Sequence, residues 1–225
     1  MVPSVPKPFR HLLGYQIYLD RYSLKDLGRR VSVGQVVLAD TSEDPRQSRL
    51  EVATVQAPLD GDRVELLLWE DGSVIDLPRE KLMVPIEPKV EQMWHRVAKA
   101  LASVEKTPEL REHWEREFRW LLSDFRGLPG GRIMAGAGAP AKLALANCFV
   151  IPFVPSPVNP EAGIDSRHGI LHTLSIFAEL LSRGGGVGIN ISALRPRGAV
   201  VYGVHGTSSG SVSWAELFSQ TVHLV

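Results

Sequence analysis

Cysteine is nearly absent from the sequence: its 225 residues include one, Cys148. A single cysteine excludes an internal disulfide framework, so Cys148 is a buried structural thiol, a reactive thiol or one half of an unfinished pair. Net charge is absent too, since 25 basic residues balance 25 acidic residues. A neutral chain has no broad field that attracts nucleic acid or an anionic membrane, so we expect neither as a partner.

Long apolar runs are also missing. No stretch approaches the roughly 20 residues that span a bilayer, and residues 1–7 lack the apolar centre of a signal peptide. We therefore expect a cytoplasmic protein. Hydrophobic residues still make up 44% of the chain, which is enough to bury a core. Scarce Asn beside abundant Pro, Arg and Leu favours a thermophilic source.

Hydrophobic periodicity divides the first half of the chain into three segments. Residues 1–30 form an N-terminal helical segment. Residues 31–88 alternate like short strands, with Asp71-Gly72 suited to a hairpin turn, and predict a small antiparallel β-barrel module. Residues 89–127 predict a pair of helices whose apolar stripes are core. The stripes are Val90, Met93, Trp94, Val97, Leu101 and Val104, then Leu110, Trp114, Phe118, Leu121, Leu122 and Phe125.

Residues 128–225 are rich in Gly, Ala and apolar residues. "CFVIPFV" predicts a buried strand, "GILHTLSIFAELLS" a helix and "GVGINIS" a second strand, and a crossover of this length implies that the strands are parallel. A last helix is expected in "SVSWAELFSQTVHLV". The fold class is therefore α/β.

Two features of this region leave alternatives open. The glycines of Gly184 to Gly188 suit either a phosphate cradle or a helix C-cap followed by close strand packing, and no nucleotide fingerprint fits them. Cys148 opens an apolar strand, which by itself favours a small core hydrophobe.

Two further motifs favour structural interpretations. "GTSSG" matches a nucleophile elbow at Ser208, but only Glu216 and His223 follow it, so a flexible turn is favoured. His168 and His172 lie one helical turn apart without an evident third ligand, so we predict packing or surface histidines and no metal site.

Four segments in this order and spacing carry a family resemblance: "GGRIMAGAG", "NCFVIP", "GGGVGINISALRPRG" and "GTSSGSVSW". They resemble the N-terminal part of the catalytic chain of ribonucleotide reductases. Their residues are most similar to those of the adenosylcobalamin-dependent (class II) branch. "GYQIYLDRYSLKD" resembles the entry segment of that branch. The resemblance covers residues 12–30 and 89–218, and it implies that residues 128–225 are the first, incomplete part of a reductase α/β barrel.

The resemblance also implies roles for individual residues. Cys148 matches the first of two thiols that become a disulfide when the ribose is reduced. Contacts to the substrate are implied for Asn147, Gly185 and Gly186. Contacts to an allosteric deoxynucleoside triphosphate effector are implied for Asp165, Ser166 and Arg195. The segment from Arg197 to Gly210 matches a mobile loop that senses the effector.

The sequence departs from the family in its cysteines, because the radical cysteine, the redox partner and the shuttle cysteines have no counterpart here. We therefore expect a truncated or split reductase fragment that is inactive alone, with most adenosylcobalamin contacts outside this chain. The resemblance implies nucleotide ligands and either a homodimer or a second chain that completes the barrel. The alternative is a non-catalytic nucleotide-binding or protein-interaction module that retains the effector site.

Overall fold

The computed structural model describes all residues except Met1, Leu27, Arg29, Pro45 and Lys142. Internal contacts divide the chain into two units, residues 1–142 and 143–225. The first unit contains α1 (Leu12–Arg21), β1 (Val36–Asp40), β2 (Leu50–Leu59), β3 (Arg63–Leu68), β4 (Val74–Pro78), β5 (Leu82–Met83), α2 (Val90–Ala102), α3 (Pro108–Leu122) and α4 (Gly131–Gly136). The second contains β6 (Cys148–Ile151), α5 (Arg167–Ser182), β7 (Gly186–Ile189), β8 (Val200–Val201), β9 (Gly206–Thr207) and α6 (Ser211–Leu224). The division into four segments stays a prediction.

The strands of the first unit form one antiparallel sheet in the order β4-β3-β2-β1-β5, which confirms the expected antiparallel module. Alternation along β1 places Val37 and Ala39 in a core that all five strands share, while Leu38 packs with the helices. Among the described residues no ladder joins β4 to β5, so these ladders leave two edge strands rather than closing a barrel.

Tight turns connect β2 to β3 and β3 to β4. The predicted turn at Asp71-Gly72 is confirmed: Gly72 has φ +75°, and the Asp71 carboxylate accepts the Ser73 amide at 2.9 Å. The other turn contains Gly61 at φ +70° and Asp62 at φ +60°. Gly and Asp are residues that adopt this left-handed conformation at low cost, which explains both turns.

The predicted helix pair is confirmed as α2 and α3, but its apolar stripes differ in burial. On α2, Met93 and Val97 are buried in the core with Tyr15 and Leu19 of α1. On α3, by contrast, Trp114 is 38% exposed and Leu121 is 44% exposed. The prediction that both stripes are core is therefore wrong for half of the second stripe, because α3 packs chiefly on α2 and buries only the side that faces it. It is also wrong for Val104 of the first stripe, which lies beyond the end of α2 and is 81% exposed.

A buried ion pair ties the helices of the first unit to the linker before α2. Arg96 donates to both carboxylate oxygens of Glu87, at 2.8 and 3.0 Å, and the two side chains are 10% and 8% exposed. Tyr18 donates its hydroxyl to the Glu87 carbonyl at 2.7 Å. Burial raises the pKa of the Tyr18 hydroxyl well above its ordinary value, so it stays protonated and remains a donor.

The second unit has the predicted strand, helix and strand. β6 and β7 are parallel, with Cys148 opposite Gly186 and Ile151 opposite Ile189, and α5 connects them. The core of this unit centres on Phe153, Phe177 and Phe218, which belong to the β6 region, α5 and α6. A two-stranded sheet of this kind agrees with the expected incomplete barrel. Across the described residues, no helix is both long and apolar enough to cross a bilayer.

Candidate functional site

Cys148 lies on the open face of the β6–β7 sheet. Burial alternates along both strands: Ile151 and Ile189 turn toward the core below α5, whereas Cys148 and Gly186 are exposed on the opposite face. The interpretation of Cys148 as a small core hydrophobe is therefore wrong, because strand alternation directs its side chain away from the core. An exposed thiol next to bare backbone is accessible to a ligand.

Asn147 and Gly186 are joined through the backbone. The Gly186 amide donates to the Asn147 carbonyl at 2.7 Å, and the Asn147 side chain lies at the exposed start of β6. A Cβ at Gly186 would lie 3.8 Å from the Cys148 sulfur and 3.4 Å from the Asn147 carbonyl oxygen. Glycine here keeps the surface beside the thiol open, and the structure thus brings Asn147, Cys148 and Gly186 together.

Gly184 and Gly185 have structural reasons of their own. Gly184 ends α5 with φ +77°, the left-handed conformation that glycine adopts at helix C-termini. Gly185 is buried, and a Cβ there would lie 2.7 Å from the Phe149 ring and 3.1 Å from the Leu180 carbonyl oxygen. The C-cap and close-packing alternative therefore accounts for these two glycines, while Gly186 opens onto the Cys148 face.

The residues of the expected effector site line one cavity of about 590 Å³ in the second unit. Its walls come from the start of α5, the segment after β7, the β8–β9 hairpin and α6. A cavity of this size lies within the range that accommodates small-molecule ligands. The three expected effector residues are all part of its lining: Asp165, Ser166 and Arg195.

Asp165 and Arg195 form an ion pair at the edge of this cavity. The Arg195 Nε donates to the Asp165 carboxylate at 2.5 Å, and the Arg195 amide donates to the other carboxylate oxygen at 3.2 Å. The remaining guanidinium nitrogens donate to the carbonyl oxygens of Val200 and Asp165, at 3.3 and 3.4 Å. This pair therefore fastens the hairpin segment to the start of α5.

Ser166 is the N-cap of α5. Its hydroxyl accepts the Gly169 amide at 3.0 Å and donates to the Gly163 carbonyl at 2.7 Å. The cap leaves the amides of the first helical residues, Arg167 and His168, without helical acceptors and directed at the cavity end of the helix. Such a helix start favours an anion, which suits the phosphates of a nucleotide.

The segment from Arg197 to Gly210 contains the β8–β9 hairpin. Gly198 donates its amide to the Ser208 carbonyl, and the Ser208 amide donates to the Ala199 carbonyl. The Ser208 hydroxyl accepts the Gly210 amide at 3.1 Å, so this serine takes part in a turn as predicted. The motion of this segment stays a prediction.

The two histidines of α5 differ in burial: His168 is exposed and His172 is half-buried. No group of three or more metal-ligating side chains occurs within the part of the chain that the structure describes.

Sequence reasoning did not single out several residues of the cavity lining, among them Arg167, Tyr202 and Trp214. Arg167 lies in the first turn of α5, Tyr202 on the hairpin and Trp214 on α6. Arg167 follows directly after Asp165-Ser166, so its position beside an expected effector contact was a usable signal. Tyr202 lies within the segment Arg197 to Gly210 that the resemblance assigns to effector sensing, so it had a signal too. Trp214 lacks a local signal, since only the packing of α6 places it at the cavity.

Comparisons with known proteins find matches along most of the chain. The family model described as "Ribonucleotide reductase, all-alpha domain" matches residues 79–142, and "Ribonucleotide reductase, barrel domain" matches residues 146–225. The second match contains both the Cys148 face and the 590 Å³ cavity. The chain belongs to the ribonucleotide reductase large-chain family.

Several curated relatives are reductases. A vitamin B12-dependent ribonucleoside-diphosphate reductase of Mycobacterium tuberculosis (strain CDC 1551 / Oshkosh) is 34% identical over 188 residues, 80% of this chain and 25% of the relative. The protein of that name from Thermoplasma acidophilum is 31% identical over 114 residues, 50% of this chain and 13% of the relative. A Synechocystis ribonucleoside-diphosphate reductase subunit alpha is 31% identical over 121 residues, which are 54% of this chain and 14% of the relative. The chain spans about a quarter of the length of the first of these relatives.

Proposed function

We propose that this chain supplies one wall of the substrate site and the effector pocket of an adenosylcobalamin-dependent ribonucleotide reductase. The observation that carries the proposal is the exposed Cys148 opposite Gly186 on parallel strands, within the segment that matches the reductase barrel domain. This pairing holds a thiol on a rigid strand beside a surface without side chains. A ribose lying on that surface would have the sulfur within reach, as a reacting group must be.

The chemistry follows from the family. In ribonucleotide reduction the 2′-hydroxyl leaves as water and hydrogen replaces it. Two thiols give up two electrons and two protons and become a disulfide. Cys148 would be one of these thiols, and its partner must come from outside these 225 residues, because they contain one cysteine. We therefore expect no turnover by this polypeptide alone.

The cofactor is proposed from the relatives of Mycobacterium tuberculosis and Thermoplasma acidophilum, which are named as vitamin B12-dependent. The exposed face of β6 and β7 consists of Cys148, Val150, Gly186 and Gly188, a set whose side chains offer no hydrogen-bonding group besides the thiol to the peripheral amides of a corrinoid. Adenosylcobalamin supplies the radical that starts the reaction when it is bound. The residues of this face do not fit the corrinoid, so the proposal assigns it to no residue here, and contacts outside this chain stay a prediction.

The second site of the proposal is the 590 Å³ cavity, which we assign to a deoxynucleoside triphosphate effector. Asp165 and Ser166 stand at the start of α5, and Arg195 connects them to the hairpin. An arginine beside the free amides of a helix start suits phosphate groups.

The test uses two ligands and two readouts on the 225-residue polypeptide. Ribonucleoside diphosphates should slow the alkylation of Cys148, because they cover the thiol, whereas deoxynucleoside triphosphates should not. The triphosphates should instead raise the melting temperature, since a ligand at about 100 times its Kd adds about 2.7 kcal/mol to stability. Unchanged alkylation in the presence of every nucleotide would contradict the substrate role of Cys148.

A non-catalytic nucleotide-binding module is the second candidate. The formed cavity together with a single cysteine favours it, because effector binding needs no second thiol. This candidate expects stabilisation by deoxynucleoside triphosphates without protection of Cys148 by ribonucleotides. Incubation with ribonucleotide, adenosylcobalamin and a dithiol should yield no deoxynucleotide under either candidate.

A further inference from the structure

A second cavity lies in the first unit, apart from the two sites described above. It has a volume of about 490 Å³, which is within the range that accommodates small-molecule ligands. Its walls come from the N-terminal segment, α1, the start of β1, the residue after β3 and the start of α2. The cavity therefore lies where the antiparallel sheet, for which the family resemblance implies no role, meets the helices.

Two aromatic rings form the buried wall of this cavity. Tyr15 and Trp69 stack with their ring centroids 5.7 Å apart and an angle of 25° between the ring planes. The Trp69 indole nitrogen donates to the Thr54 hydroxyl at 2.8 Å, and the Tyr15 hydroxyl donates to the Pro88 carbonyl at 2.9 Å. Because both polar groups already have partners, the two rings offer the cavity carbon surface rather than hydrogen bonds.

The same hydrogen bonds hold the wall in place without a ligand. Tyr15 connects α1 to the linker before α2, and Trp69 is fixed to β2 through Thr54. Burial raises the pKa of the Tyr15 hydroxyl to about 12, so this group stays neutral and places no negative charge beside the cavity. The wall is therefore both preformed and uncharged, which suits an apolar ring.

The rim of the cavity carries the charge. Lys7, Lys89 and Glu91 are the charged residues of its described lining, and all three are exposed. Within the part of the chain that the structure describes, none of these side chains forms an ion pair. Two ammonium groups against one carboxylate leave one positive charge at the mouth of an apolar cavity.

We propose that this cavity binds a small aromatic anion, such as an aromatic carboxylate, with its ring against Tyr15 and Trp69 and its negative charge beside Lys7 and Lys89. Aromatic rings that pack on each other gain about 0.5–1.5 kcal/mol beyond the burial of their area, which favours an aromatic body over an aliphatic one. The inference is independent of the proposed function, because no residue of the Cys148 face or of the 590 Å³ cavity lines this site.

The test measures the Kd of three probes for the full 225-residue chain by calorimetry. The probes are 2-naphthoate, its uncharged analogue 2-naphthamide and the aliphatic anion hexanoate. We expect 2-naphthoate to bind with a Kd below about 1 mM, and both other probes to bind more weakly. Absence of 2-naphthoate binding, or equal affinity for either of the other probes, would overturn the inference.

Substitutions on the rim locate the binding. Lys7→Gln should weaken 2-naphthoate binding about two- to fivefold, as expected for an exposed charge, and should leave 2-naphthamide binding unchanged. Glu91→Gln removes the opposing charge and should tighten 2-naphthoate binding. Lys106→Gln, at an exposed lysine of the same unit outside the lining, is the matched control and should bind like the unmodified chain. If Lys7→Gln and Lys106→Gln have equal effects, or if Glu91→Gln weakens binding, the anion is not held at this rim and the inference fails.

Discussion

Replacing Gly185 by alanine separates the structural role of the glycine run from its role at the site. The added Cβ would lie 2.7 Å from the Phe149 Cε2 atom, 2.9 Å from its Cδ2 atom and 3.1 Å from the Leu180 carbonyl oxygen. The carbonyl belongs to the backbone of α5, so it can yield only if the end of the helix moves. Alanine at this position therefore overpacks the junction between α5 and β7.

The magnitude follows from two opposing effects. Overpacking a well-packed site lowers the free energy of unfolding by about 1–3 kcal/mol. Alanine also reduces the conformational entropy of the unfolded chain, which raises the free energy of unfolding by about 0.4–1 kcal/mol. We expect a net loss of about 1–2 kcal/mol in the free energy of unfolding. For a chain of this size, each kcal/mol corresponds to about 2–4 °C in Tm.

Gly186→Ala is the matched control, one residue away. Its Cβ would meet the Asn147 carbonyl oxygen at 3.4 Å and the Cys148 sulfur at 3.8 Å, which are ordinary contacts. Its stability should stay within about 0.5 kcal/mol of the unmodified chain, while the methyl group should slow alkylation of Cys148. The measurements are urea unfolding and the rate of thiol modification. Equal stability of Gly185→Ala and Gly186→Ala would refute the close-packing explanation of Gly185.

Two further predictions concern the first unit. Glu87→Gln should lower the free energy of unfolding by about 3 kcal/mol in urea, since it leaves the Arg96 charge buried without its carboxylate partner; Glu112→Gln, at an exposed pair of the same unit, is the control and should change it little. Hydrogen bonds from Ser42, then from its amide and from Arg49 and Ser48, lower the pKa of Asp40 from 3.8 to about 2. Asp40 therefore stabilises the fold above about pH 4, and this contribution is lost as the pH falls through about 2. Asp40→Asn should be less stable at pH 7 by about 1 kcal/mol, after allowance for solvent screening, and the difference should shrink toward pH 2; a constant difference across this range would contradict the assignment.

Much of the local structure was predictable because it depends on neighbouring residues. Hydrophobic period and length predict α2, α3 and α5, and the strand-helix-strand order predicts the parallel pairing of β6 with β7. The turn at Gly72 follows from a dipeptide that tolerates its backbone conformation. The family resemblance likewise rests on short motifs, and these indicate the reductase family without any information on geometry.

Features that depend on residues distant in the sequence were not predictable. Periodicity predicts an apolar stripe on α3 but does not say whether another element covers it, and half of the stripe stays exposed. Glu87 and Arg96 each resemble an ordinary surface charge in the sequence, and only the packing of α1, α2 and α4 buries them together.

The sequence by itself determined the elements, their order and the family, because propensity, period and motif act over a few residues. Tertiary structure alone decided how the functional side chains are used. It directs Cys148 away from the core, since the helices cover only one face of the β6–β7 sheet. It also pairs Arg195 with Asp165 across 30 residues, which joins the start of α5 to the segment that contains the hairpin.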